Sequence, residues 1–267
     1  MKTISASTLA CLVIFNAGHA LAASSKWVEA QGGKVRLVTT GKPDAQGRLE
    51  GILDIHLDEG WKTYWRDPGD AGVPPSLEVS ASTNVTSAQL RFPAPQRHDD
   101  GYAIWAGYNH SVALPVIFHV AKPDEPAKIS ADVFLGICES ICIPVSAKLT
   151  LDPAENADDS ADAAAVTTAM RALPLPASPD FDVALVSDDT KTALLDAKLP
   201  SGASSADLFI AGGDGYVFAT PRKIEKDGKT QFSVEILDRP AAKPVGGGLH
   251  YTLVTDKGAV SGMLPYL

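Results

Sequence analysis

The chain has 267 residues, 45% of them hydrophobic and 21% charged, a composition that supports buried cores and excludes the disordered and collagen-like classes. Its formal charge of −9, from 23 Lys and Arg against 32 Asp and Glu, speaks against nucleic acid as a partner, because a phosphate backbone needs clustered cations to displace its counterions.

In chain order, Lys2, the apolar run Leu9 to Phe15 and the A-x-A sequence Ala20-Leu21-Ala22 predict an export leader over residues 1–22, cleaved after Ala22. Cys11 sits inside that run with no hydrophobic stretch before it, unlike a lipoprotein cysteine. No later stretch reaches the ~18 uncharged apolar residues of a membrane helix. The expected product is exported and soluble, with Cys138 and Cys142 as its cysteines.

Residues 23–152 read as short alternating strands. Val35 to Thr39 and Leu49 to Leu57 are two of them; Val112, Leu114, Val116, Phe118 and Val120 alternate as a sandwich strand does. Ile129, Ala131, Val133 and Leu135, followed by Ala147, Leu149 and Leu151, predict a hairpin over 127–151. The composition then turns to Asp, Ala and Pro. Residues 153–180 therefore read as a linker, with a short helix over Ala161 to Leu173 stopped by Pro174, Pro176 and Pro179. In 181–267 seven short strands recur between glycine-rich turns, as in an immunoglobulin-like sandwich. The predicted fold is all-β, with two tandem immunoglobulin-like sandwiches joined by that linker.

All four tryptophans and both of these cysteines fall in the first sandwich, which places the expected chemistry there. Its central feature is Cys138-Glu139-Ser140-Ile141-Cys142 between two strands. Four apart on a helix, two cysteines are about 6 Å apart at Cβ, too far for a relaxed bridge; flanking a three-residue hairpin loop, their Cα atoms lie about 4.5–5.5 Å apart, which a disulfide accepts. As a structural staple such a bridge is weak, since closing a loop of about five residues removes only about 2 kcal/mol of unfolded-chain entropy, against nearly 5 for about 100 residues. Short loops also favour labile, catalytic bridges. Staple and redox pair both remain open on these grounds. Two thiolates plus one of His98, His110 or His119 would alternatively suit Cu(I), although none has a fixed spacing to the cysteines.

Two aromatic loops accompany the cysteines: Gly60 to Gly69, with Trp61, Tyr64 and Trp65, and His98 to Tyr108, with Asp99, Asp100, Gly101, Tyr102 and Trp105. They fit large core residues, a carbohydrate-stacking platform in a non-catalytic binding module, or a lid over a redox pair. Signatures of other enzymes (G-x-S-x-G, G-x-G-x-x-G, a Walker A loop, H-E-x-x-H) are missing.

These blocks together resemble the amino-terminal periplasmic domain of the DsbD and ScsB family of thiol:disulfide interchange proteins. The resemblance rests on Gly60 to Arg66, on Asp99-Asp100-Gly101-Tyr102 leading through Tyr108 into Val112 to Val116, and on Gly136 to Pro144. It implies a periplasmic protein-disulfide reductase relay that needs no cofactor. A thioredoxin-like donor, fed by a membrane electron transporter, would reduce Cys138 and Cys142, and the pair would then reduce thioredoxin-fold isomerase-like clients. By position Cys142 would form the mixed disulfide and Cys138 would resolve it. Asp99, Asp100, Gly101, Tyr102 and Trp105 would cap the pair, supported by Trp61, Tyr64, Trp65 and Tyr108. Glu139 beside Cys138 disfavours ionisation there and points to the same nucleophile. The three-residue spacing matches the ScsB branch, whereas the DsbD type has a longer insertion.

Overall fold

The computed structural model describes residues 24–69, 72–155 and 160–267, so the predicted leader lies outside the described residues. The first half contains β1 (Val28–Ala30), β2 (Gly33–Thr39), β3 (Arg48–Leu57), β4 (Thr63–Gly69), β5 (Ser76–Glu78), β6 (Val85–Leu90), β7 (Gln96–Asp99), β8 (Ile104–Tyr108), β9 (Val112–Val120), β10 (Ile129–Cys138) and β11 (Cys142–Leu151). A helix, α1 (Ser160–Arg171), follows. The second half contains β12 (Leu175–Pro176), β13 (Asp182–Asp188), β14 (Thr192–Lys198), β15 (Ala206–Ile210), β16 (Val217–Phe218), β17 (Arg222–Lys226), β18 (Lys229–Asp238), β19 (Leu249–Thr255) and β20 (Gly258–Leu264).

The first sandwich is built from a five-stranded sheet, β1-β2-β3-β9-β6, and a three-stranded sheet, β11-β10-β5. Alternation along the strands creates its core. Val35, Leu37, Leu53, Leu114 and Phe118 from the larger sheet meet Ile129, Ala131, Val133 and Leu135 from β10 in one buried cluster; fully burying such aliphatic side chains is worth about 1.5–3 kcal/mol each. A separate three-stranded sheet, β4-β8-β7, closes one side. The expected hairpin over 127–151 is present as β10 and β11, in unbroken antiparallel register from Ile129↔Leu151 to Cys138↔Cys142.

The second half forms a four-stranded sheet, β12-β20-β19-β15, and a five-stranded sheet, β13-β14-β18-β16 with β17 also on β18. Leu195, Phe232, Val234, Tyr251 and Leu253 lie in their shared core. The fold is thus nearly all β and sandwich-like, as the alternation predicted.

The segment between the halves is less passive than its composition suggested. The apolar residues Val38 and Ile52 point outward from the first sheet, and α1 covers them with Val166 and Ala169. Leu175 and Pro176 then pair in parallel with Val260 and Ser261 of β20, which ties the end of the segment into the second sandwich. Among the described residues no helix is long and apolar enough to cross a membrane.

Candidate functional site

The Cys138–Cys142 disulfide closes the end of the β10–β11 ladder, with its Cα atoms 4.1 Å apart. Glu139, Ser140 and Ile141 make the exposed tip. Behind the bridge, Cys138 exchanges two backbone hydrogen bonds with Lys62: the Lys62 N–H donates to the Cys138 carbonyl at 2.8 Å, and the Cys138 N–H donates back at 2.9 Å. The start of β4 is held by Thr63, whose hydroxyl donates to the Gly136 carbonyl at 2.9 Å in a buried position. Gly136 admits a close neighbour, since a Cβ there would lie 3.0 Å from Val73 and about 3.4 Å from the Tyr64 ring. The glycine before the cysteines therefore lets Tyr64 reach under the hairpin.

The two sulfurs occupy different surroundings. Cys138 is only 1% exposed and forms a small buried cluster with Tyr64 and Trp105, whose rings meet edge to face at 5.8 Å. Cys142 is exposed. The Tyr64 hydroxyl lies 3.2 Å from Cys142 Sγ; a disulfide sulfur carries no proton, so the tyrosine is the donor. Burial, and then the nearby Asp100 carboxylate, push the Tyr64 pKa above its ordinary value and keep that proton in place.

Across the bridge lies the turn of the β7–β8 hairpin, residues 100–103. Gly101 adopts a φ of +81°, which glycine reaches without strain. The Asp100 carboxylate accepts from the backbone N–H groups of Tyr102 and Ala103 at 3.1 and 3.0 Å and pairs with Lys62 Nζ at 3.0 Å. The Lys62 hydrogen bond, followed by those from Ala103 and Tyr102, holds its carboxyl at about 2. Lys62 Nζ also sits 4.5 Å from the centre of the Trp105 ring, and His98 stacks on the same ring at 4.0 Å. Burial first, then the Lys62 and His110 charges, depress the His98 pKa and favour the neutral ring. Cap, Lys62 and hairpin tip enclose an open cleft of about 570 Å³ that reaches both cysteines.

The structure divides the sequence-derived candidates. Tyr64, Trp105, Asp100 and Tyr102 converge with Cys138 and Cys142 on that cleft, while Asp99 accepts the Gly101 N–H at the base of the turn. Of the two rings expected in the cap, Tyr102 is 99% exposed and points into solvent, while Trp105 packs against Cys138. Three supporting aromatics lie elsewhere. Trp65 and Tyr108 belong to the main sandwich core, and the Tyr108 hydroxyl donates to the Pro93 carbonyl; Trp61 packs at the edge of that core on Gly32. None of the three is among the residues that line the cysteine cleft. The rings form no shared exposed platform of the kind a stacking sugar needs, since Trp65 is 2% and Trp105 is 5% exposed. Among the described residues no three His, Cys, Asp or Glu side chains gather as a metal site would require. Lys62 and His98 contribute to the site although residue type gave neither a role in the cap; only their position inside the aromatic loops marked them.

Residues 35–154 match the family model for the thiol:disulfide interchange protein DsbD, N-terminal region. Among solved structures, the chain is similar to the N-terminal periplasmic domain of ScsB from Proteus mirabilis, with 21% sequence identity, a TM-score of 0.71, and coverage of 92% of this chain and 100% of that one. That likeness concerns the fold. No curated protein matches the chain. The segment that carries β4, the cap and both strands of the cysteine hairpin therefore belongs to the DsbD N-terminal domain family.

Proposed function

We propose that the chain is a periplasmic thiol:disulfide interchange module that relays electrons through Cys138 and Cys142 between thioredoxin-fold proteins. The observation that carries this reading is the asymmetry of the bridge, with one sulfur buried against Tyr64 and Trp105 and the other open to a cleft, within a segment of the DsbD N-terminal family.

In the reducing half-reaction a donor thiolate attacks the accessible Cys142 Sγ. The Cys138–Cys142 bond breaks, and Cys138 leaves as a thiolate and takes up a proton. The donor's second thiolate then attacks the mixed disulfide, releases Cys142 and leaves the donor oxidised, a transfer of two electrons. In the other half, the Cys142 thiolate, stabilised by the Tyr64 hydroxyl, attacks a client disulfide. Cys138 resolves the adduct, which re-forms the bridge and frees the reduced client. Ile141, exposed at 68%, and Tyr102 provide apolar contact area around the cleft, suited to the shallow surface around a thioredoxin-fold active site. Export by the predicted leader would place the module where such partners reside.

The test is to express Cys138→Ser and Cys142→Ser separately in cells and recover mixed disulfides. The Cys138→Ser protein is expected to retain thioredoxin-fold partners through Cys142, and the Cys142→Ser protein none. Absence of adducts from both would refute the relay.

A further inference from the structure

The second sandwich reaches the small β4-β8-β7 sheet beside the redox site through β15 and the residues just after it. Arg97 lies on β7, next to His98, and its guanidinium straddles the Asp207 carboxylate of β15: Nε lies 3.2 and 3.0 Å from the two oxygens and Nη2 lies 3.0 Å from Oδ1. Nη2 also donates to the Leu208 carbonyl at 2.7 Å. The same guanidinium stacks on Phe209 at 4.4 Å, and Trp65 of β4 meets that ring at 5.9 Å. Nearby, Asp67 of β4 accepts the Gly212 N–H at 2.6 Å. Both outer strands of the β4-β8-β7 sheet are thereby clamped to the second sandwich, and the strand between them carries Trp105.

This clamp falls where the small sheet is weakest. The β4–β8 register is broken between Tyr64 and Gly69. Among the described residues β7 has β8 as its only partner strand, through four residue pairs from Gln96↔Gly107 to Asp99↔Ile104. A short edge hairpin of this kind is marginal by itself. Its turn is the cap; Trp105 packs with the buried Cys138, and His98 stacks on Trp105. A partly buried two-pronged guanidinium–carboxylate pair fixes orientation as well as distance.

We propose that the second sandwich is a buttress for the redox centre, and that Arg97 and Asp207 are positioning residues that hold the β7–β8 hairpin so that Trp105 stays on Cys138 and attack is confined to Cys142. This inference rests on the relay reading and gives it a mechanism of selectivity: the partner meets one sulfur because a neighbouring sandwich holds the hairpin down over the other.

The experiment uses the full chain as Arg97→Ala, Asp207→Asn, Asp207→Glu and a control, Arg36→Ala. The control removes an ion pair with Asp54 that joins β2 to β3, outside the cap hairpin. The rate of bridge reduction by dithiothreitol is measured, and attack by a monothiol is acid-quenched and mapped to one sulfur or the other. Arg97→Ala and Asp207→Asn are expected to be reduced roughly tenfold faster, the shift in an opening equilibrium that follows loss of a hydrogen bond to a charged group, and to yield monothiol adducts on Cys138 as well as Cys142. Asp207→Glu and Arg36→Ala are expected to behave as the unaltered protein. Asp207→Asn changes one atom of the side chain and keeps its shape, so it reports even where Arg97→Ala folds poorly. Unchanged rates and adducts at Cys142 alone would overturn the buttress, as would equal acceleration in Arg36→Ala. Small thiols need no physiological partner, so failure of the relay reading in the cellular trap and failure of the buttress are separate results.

Discussion

Replacing Tyr64 with Phe isolates one hydrogen bond at the reacting sulfur. The ring is 2% exposed and packs edge to face on Trp105, so Tyr64→Phe keeps the packing and removes only the hydroxyl 3.2 Å from Cys142 Sγ. In the reduced protein that hydroxyl donates to a thiolate, an interaction worth about 1.5–3 kcal/mol. At about 1.4 kcal/mol per pKa unit, its loss raises the Cys142 pKa by roughly one to two units. Below that pKa each unit removes about nine-tenths of the thiolate, while the remaining thiolate becomes more nucleophilic with a Brønsted slope of about 0.4–0.5. The net effect is a roughly 3- to 10-fold slower reaction near neutral pH. The assay is the pH profile of iodoacetamide alkylation at Cys142, in a Cys138→Ser background with and without Tyr64→Phe. Coincident profiles would refute the argument, because the hydroxyl would then not stabilise the thiolate.

Trp105 and Tyr102 separate shielding from exposure. Trp105→Ala empties a 5%-exposed site against Cys138 and is expected to lower stability by about 3–5 kcal/mol in denaturant melts while speeding reduction of the bridge. Tyr102→Ala removes a 99%-exposed ring and is expected to leave stability within about 0.5 kcal/mol and small-thiol reduction unchanged, with any effect confined to partner exchange. The cap should also respond to acid through Asp100. Its carboxyl is held at about 2 against an ordinary 3.8, so the stabilisation it contributes is present above about 3.8 and is lost as the pH falls through about 2. The rate of reduction by a phosphine, taken relative to that of Asp100→Asn at each pH so that protonation of the phosphine cancels, is expected to rise from pH 5 to 2, and a constant ratio would refute it.

Local pattern was enough to identify the β10–β11 hairpin. Strand alternation is a property of consecutive residues, and a three-residue loop brings Cys138 opposite Cys142 whatever the rest of the chain does. The same holds for α1, bounded by prolines, and for most strands of the second sandwich. The stretch Leu49 to Leu57 carried further information that depends on distant chain: Leu53 and Ile55 face the sandwich core, whereas Ile52, out of phase with them, faces α1.

The aromatic residues mark the boundary between the two kinds of information. Sequence places Trp61, Tyr64, Trp65, Trp105 and Tyr108 in two loops but cannot sort them, because which ring faces a sulfur depends on side-chain direction and on the broken β4–β8 register. Only the tertiary structure sends Tyr64 and Trp105 to Cys138 and sends Trp65 to Phe209 of the other sandwich. The difference between the sulfurs has the same origin. Glu139 supplied a weak local argument for Cys142 as the nucleophile, but the burial of Cys138 comes from Tyr64 of β4 and Trp105 of β8, which it does not meet along the chain. The Arg97–Asp207 pair spans 110 residues and leaves no trace in either local pattern. The cysteine pair and its hairpin were thus determined by short-range sequence, whereas the accessible sulfur, the ring that covers the other and the strand that holds that ring were decided by long-range packing.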